Sequence, residues 1–148
     1  MIRPIFLAAA AATVATAVLA QSDLVAARKA LMSETGTFMY RALPAMIKGE
    51  QPYDQATVDA AFAQMTEVTK RLPALYPEST KDTPPTGRFS VSPKMWANKA
   101  DFEARIAKYA ADVAAARPKA VSVDGLKAVL PTVMQNCDGC HDNYRVRN

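Results

Sequence analysis

The sequence predicts an all-α fold, an antiparallel up-down-up-down four-helix bundle. Two observations carry that expectation. Apolar residues recur every three or four positions through four separate segments, which gathers them on one face of a helix in each. Proline and glycine cluster between those segments, and nowhere does a sustained alternation of apolar and polar residues suggest a strand. Amphipathic helices joined by mostly short connections pack as antiparallel neighbours.

The chain begins with a leader that takes no part in the bundle. Arg3 is its single charge, Ile5 to Leu19 is an alanine-rich apolar run, and Ala20 closes it with a small residue. This is the order of a secretory signal peptide, so cleavage is expected after Ala20. The run is shorter than the roughly 18 to 20 residues a spanning helix needs, and no basic stop-transfer flank follows it. The expectation is a signal peptide over residues 1–20 and one domain over residues 21–148, exported to the periplasm without a membrane span.

The first helix is expected from about Leu24 to Ile47, with Leu24, Leu31, Phe38, Ala42 and Ala45 on one face. Gly49, Pro52 and Asp54 close it and open the second, whose inward face reads Val58, Ala61, Phe62, Met65, Val68, Leu72 and Leu75. Pro77 follows, and Thr83-Pro84-Pro85-Thr86-Gly87 is the clearest loop, in a connection long enough to wrap across one end of the bundle. Ser92-Pro93 has the form of an N-cap followed by proline at the first helical position. The third helix then carries Phe102, Ile106, Tyr109, Val113 and Ala116 and ends at Pro118. Ser122 or Asp124 caps the fourth, which runs through Leu126, Leu130, Val133, Cys137, Cys140 or His141, and Tyr144. Pro44 and Pro131 fall inside helical patterns, where kinks or short breaks are expected.

The net charge of +4 drops by one when the leader and its Arg3 are removed. The basic residues are scattered with acidic ones among them, so nucleic acid is not an expected partner.

The chemistry is concentrated in Cys137-Asp138-Gly139-Cys140-His141, the C-x-x-C-H pattern of c-type haem attachment. Residues three apart share a helix face, so both thiols reach the two vinyl groups along one porphyrin edge. His141 then projects towards the ring centre and offers a nitrogen to iron. A zinc site wants about four ligands, whereas the chain has two cysteines and one histidine. A thioredoxin-like pair wants a strand-helix setting. A disulfide across two residues is strained and leaves the adjacent sole histidine unexplained. Because His141 is the only histidine, bis-histidine ligation within one chain is excluded. The sixth iron position is left empty, or goes to methionine, another weak donor or an external ligand.

A haem motif at the C-terminal end of the last of four helices resembles the class II cytochromes c, the cytochrome c′ superfamily. The resemblance spans essentially the whole of residues 21–148. It is carried by Arg28-Lys29-Ala30-Leu31-Met32, by Lys48-Gly49-Glu50-Gln51-Pro52-Tyr53-Asp54, by Ser92-Pro93-Lys94-Met95-Trp96, and by Cys137 to His141 with Tyr144-Arg145. It implies one covalent haem c on Cys137 and Cys140, iron held by His141, and Met32 as the distal ligand of the low-spin subgroup. It also implies Arg28 at a haem propionate. Arg145 is expected either at a propionate or at the negative end of the last helix. Spacing alone leaves Met32 open, because Met32, Met39 and Met46 stand seven apart as core residues also do.

A thioether favours ferrous iron, which suits a one-electron carrier moving between periplasmic redox partner proteins. The alternative is a five-coordinate cytochrome c′ that binds nitric oxide or carbon monoxide, with Met32 only packing. An enzyme such as a peroxidase lacks the distal histidine it would want. A homodimer through the first two helices, common in the family, is the alternative to a monomer. Trp96 and Tyr144 are candidates for packing near the haem, and Tyr53 has the look of a structural residue.

Overall fold

The computed structural model describes the backbone from Phe6 to Asn148 and side chains from Ser22 onward, so the expected leader over residues 1–20 lies outside what is fully described. Among the described residues no helix is long and apolar enough to cross a membrane.

Four long helical stretches form the bundle. The first comprises α1 (Phe6–Thr37), a π-helical turn (Phe38–Ala42) and α2 (Leu43–Ile47). The second is α3 (Gln55–Arg71), the third α4 (Lys94–Ala97) with α5 (Lys99–Ala116), and the fourth α6 (Val123–Tyr144). Helix α5 packs against α3 and α6, α1 against α3, and α2 against α6.

Local chemistry fixes the ends. Gly49 adopts φ +74°, a left-handed conformation that turns the chain out of α2, and the amide of Glu50 closes the end on the Ala45 carbonyl at 2.9 Å. Asp54 caps α3 by accepting from the amides of Ala56 and Thr57. Ser122 caps α6 by accepting from Gly125 at 3.1 Å. Tyr53 donates to the Ala120 carbonyl at 2.9 Å, which ties the first turn to the start of the last helix and makes it structural.

The inward faces of α3 and α5 are those the periodicity predicts. Val58, Ala61, Phe62, Met65 and Val68 are buried on α3, and Phe102, Ile106, Tyr109, Val113 and Ala116 on α5. Burying each large side chain stabilises the fold by about 1.5–3 kcal/mol relative to exposure.

The first helix departs from its predicted face. After Leu31 and Thr35, the buried positions are Met39, Leu43 and Met46, while Phe38, Ala42 and Ala45 are only partly buried. Pro44 is the cause. It has no N–H to offer the Tyr40 carbonyl, and the ladder relaxes into a wide turn in which the Leu43 amide bonds the Phe38 carbonyl. The extra residue moves the inward face on by one position. Met39 and Met46 are therefore core.

Three other local expectations need amendment. The third helix is broken at Asn98 (φ −126°, ψ 44°), which separates α4 from α5. Helix α6 runs unbroken through Pro131. A short antiparallel ribbon also forms, with β1 (Phe89–Val91) paired to β2 (Arg145–Arg147) so that Phe89 faces Arg147 and Val91 faces Arg145. Three residues are too few to leave a period in the sequence. The ribbon lays the chain's end against the long connection after α3, and the Asn148 side chain adds a bond to the Gly87 carbonyl at 2.7 Å.

Candidate haem site

The last two turns of α6 carry Cys137, Cys140 and His141, all part-buried, on the stripe that begins with Leu126, Leu130 and Val133. No disulfide joins Cys137 to Cys140, and no cluster of metal-ligand type forms among the described residues. Burial, with smaller contributions from Asp138 and Cys140, pushes the Cys137 thiol up to about 11. Burial also raises Cys140, against the opposing pull of Arg105. A raised thiol pKa disfavours the thiolate that a redox pair needs. Burial, followed by the nearby Arg145, lowers His141, although Asp138 and Asp142 oppose this. A lowered pKa favours the uncharged imidazole, whose lone pair can bind a metal.

These residues open onto two adjoining cavities. The inner one, of about 80 Å³, lies among α1, α3, α5 and α6 and is lined by Met32, Met39, Tyr109, Cys137, Cys140 and His141 among others. The outer one is a cleft of about 940 Å³ walled by α1, the long connection and the β1–β2 ribbon. Pockets for drug-sized ligands span about 300–1,000 Å³. Met32, Cys140 and His141 line both cavities, so the first and last helices meet there.

The other sequence candidates also line the cleft, in unlike settings. Arg28 is buried, at 6% exposure, and its bonding partners are neutral: Nε donates to the Leu75 carbonyl at 2.6 Å and Nη2 to Thr80 Oγ1 at 2.5 Å. Its guanidinium lies 4.1 Å from the Tyr76 ring centre. Desolvation lowers its pKa, and no carboxylate is paired with it among the described residues. A buried cation held only by neutral groups is costly, and an anion in the cleft would offset that cost. Arg145 is exposed and stacks 4.6 Å from the Phe89 ring centre, in the ribbon and past the end of α6. Tyr144 is buried edge-on against Phe102 and donates its hydroxyl to Asp101.

Several residues at the site carry no sequence signal of their own. Arg105 donates from Nε to Asp101 at 2.6 Å and from Nη1 to the Gly139 carbonyl, inside the motif, at 2.8 Å. Arg105 stands four residues after Asp101, a spacing that suits a helix ion pair, but no sequence signal marks its reach to Gly139. Thr83, Trp96 and Tyr109 stand out for another reason. Thr83 Oγ1, Trp96 Nε1 and Tyr109 Oη are the buried side-chain polar atoms without a hydrogen-bond partner among the described residues. Thr83 and Trp96 line the cleft, and Tyr109 the inner cavity. Orphaned buried polar atoms are uncommon in folded proteins, and their gathering on these cavities suits a bound group with polar edges. A haem, apolar at its centre with two carboxylates on one edge, is such a group, and the residues present fit it.

The family model described as Cytochrome C′ matches residues 23–145, which is most of the chain and includes Arg28, Met32, Cys137, Cys140, His141 and Arg145. The chain belongs to the cytochrome c′ family. It is similar to cytochrome c-556 of Rhodopseudomonas palustris, at 44% identity over 146 residues, which cover 98% of this chain and 97% of that protein. It is also similar to cytochrome c′ of the same organism, at 38% identity over 86% of this chain and 85% of that one. Among solved structures, oxidized R. palustris cytochrome c556 shares 43% identity at a TM-score of 0.75, covering 86% of this chain and 98% of the other. As a cytochrome c′ family member the protein carries one covalently attached haem c, and cytochromes c are as a rule electron carriers.

Proposed function

We propose that the protein is a periplasmic one-electron carrier with low-spin iron ligated by His141 and Met32. In this reading Cys137 and Cys140 anchor the haem through thioethers, and His141 gives iron its proximal nitrogen. When bound, the haem supplies an iron centre that changes charge by one electron. The observation that carries the reading is that Met32 lines both cavities together with His141, whereas Met39 lines the inner one alone. A soft sulfur from Met32 would favour the ferrous state and, by holding the iron together with His141, would keep oxygen and peroxide from the metal. Arg28 balances a haem carboxylate, which answers its lack of an anionic partner, and Arg145 lies over the same cleft from the ribbon. Export with loss of residues 1–20 belongs to this proposal, as does exchange with redox proteins of the periplasm.

A second reading is uptake of nitric oxide or carbon monoxide by five-coordinate iron, with Met32 only packing, and the 38% identity to cytochrome c′ of R. palustris favours it. An absorption spectrum of the purified protein separates the two. A weak far-red band from methionine-to-ferric-iron charge transfer, abolished in Met32→Ala, is the expected result. A high-spin spectrum in both oxidation states, unchanged by that substitution, overturns the carrier reading.

A further inference from the structure

Thr83 and Trp96 share an anomaly that haem attachment alone does not explain. Each buries a polar side-chain atom with no partner, and each lines the outer cleft. Burying a hydroxyl or indole N–H unpaired costs about 1–3 kcal/mol by mutational measures. Among the described residues neither Thr83 Oγ1 nor Trp96 Nε1 has a polar contact to hold it there.

The surroundings show what they face. Thr83 follows the turn at Thr80, where its amide bonds the Thr80 carbonyl at 3.4 Å, and Thr80 Oγ1 is the group that accepts from buried Arg28. Trp96 stands on α4 beside fully buried Met95 and lines the same cleft as Arg28. The two unpaired donors border one volume with the cations Arg28, Lys29, Lys81, Arg88 and Arg145, the Asp82 carboxylate and the phenols of Tyr40, Tyr76 and Tyr144, and Cys140 and His141 open onto it from α6. Porphyrin chemistry supplies the matching acceptors. Thioethers form at the vinyl edge, so the carboxylate edge extends away from the cysteines.

We propose that Trp96 Nε1 and Thr83 Oγ1 donate hydrogen bonds to a haem carboxylate, as positioning residues that fix its ionised form near iron. This rests on the haem being held by Cys137, Cys140 and His141. Both donors stabilise the charged carboxylate and so lower its pKa. An ionised carboxylate close to iron favours the ferric state, so the reduction potential falls with rising pH across the window in which the carboxylate loses its proton.

The test is spectroelectrochemical titration of the haem-loaded protein, with potential measured against pH from about 4 to 9 for the wild type, Trp96→Phe, Thr83→Val and Thr83→Ser. Trp96→Phe and Thr83→Val each move the falling limb to higher pH by about one unit, a tenfold change in proton affinity. Thr83→Ser keeps the hydroxyl and follows the wild type. A Trp96→Phe or Thr83→Val profile that superimposes on the wild type, or is offset equally at every pH, overturns the assignment for that residue, because packing alone does not move a titration. A wild-type protein without the Soret absorption of covalent haem overturns the attachment itself, and is recognised before any variant is compared.

Discussion

Arg105 Nη1 lies 2.8 Å from the carbonyl oxygen of Gly139, so a side chain of α5 grips the backbone between the two cysteines on α6. The same guanidinium holds Asp101 at 2.6 Å, and Asp101 accepts from Tyr144 three residues past His141. One arginine thus braces the haem-attachment segment from two sides.

Replacing Arg105 by alanine is expected to cost about 1 kcal/mol, since the group is partly exposed and its charge partly screened. Arg105→Lys recovers only part of this, because a single ammonium does not reproduce the planar fork. Thermal unfolding of the haem-loaded protein measures both. An alanine variant that melts with the wild type shows the brace to be idle.

The brace also predicts an acid response. Hydrogen bonds from Arg105, and then from Tyr144, hold the Asp101 carboxyl below its ordinary range. The stabilisation is therefore fully present above the unfolded value of about 3.9 and is lost as pH falls through the lower folded value. Denaturation midpoints should decline through this acidic window, and the decline should be shallower in Asp101→Asn. Equal slopes for the two proteins contradict the prediction.

Gly125 sits where α6 begins, and a methyl group there would lie 2.1 Å from the Lys119 carbonyl oxygen. The group it would strike is backbone, which has little room to yield. Gly125→Ala is expected to destabilise by about 1–3 kcal/mol, as overpacking does. Chemical denaturation gives the value directly, and an unchanged midpoint would show that the start of α6 shifts freely.

Covalent attachment has its own signature. Cys137→Ser and Cys140→Ser each leave one thioether, whereas the double variant should release all of its haem into acidified acetone. Retention of haem by the double variant after extraction means that other residues hold it.

The buried faces of α3 and α5 were legible in the sequence because long helices repeat their pattern several times, from Val58 to Val68 and from Phe102 to Ala116. The attachment motif was legible because its spacing is local and its residue types are scarce. What escaped the sequence depended on contacts between distant segments. Arg105 reaches Gly139, Arg28 reaches Leu75 and Thr80, and Phe89 pairs with Arg147, and no period or motif encodes such meetings. Pro44 announced a break, but whether the helix would kink or widen was decided by the need to bury Met39, Leu43 and Met46 together.

The wide turn at Phe38–Ala42 amounts to a one-residue insertion carried inside a helix. Residues of an α-helix are about 100° apart around its axis. Deleting a single position there would restore the ordinary ladder and swing everything before it by that angle relative to α2. Arg28 and Met32 would leave the cleft together with their own identities intact. In this lineage the length of the first helix is therefore as much a determinant of the iron's surroundings as any side chain in it, and a gap of one residue is a heavier change than most substitutions.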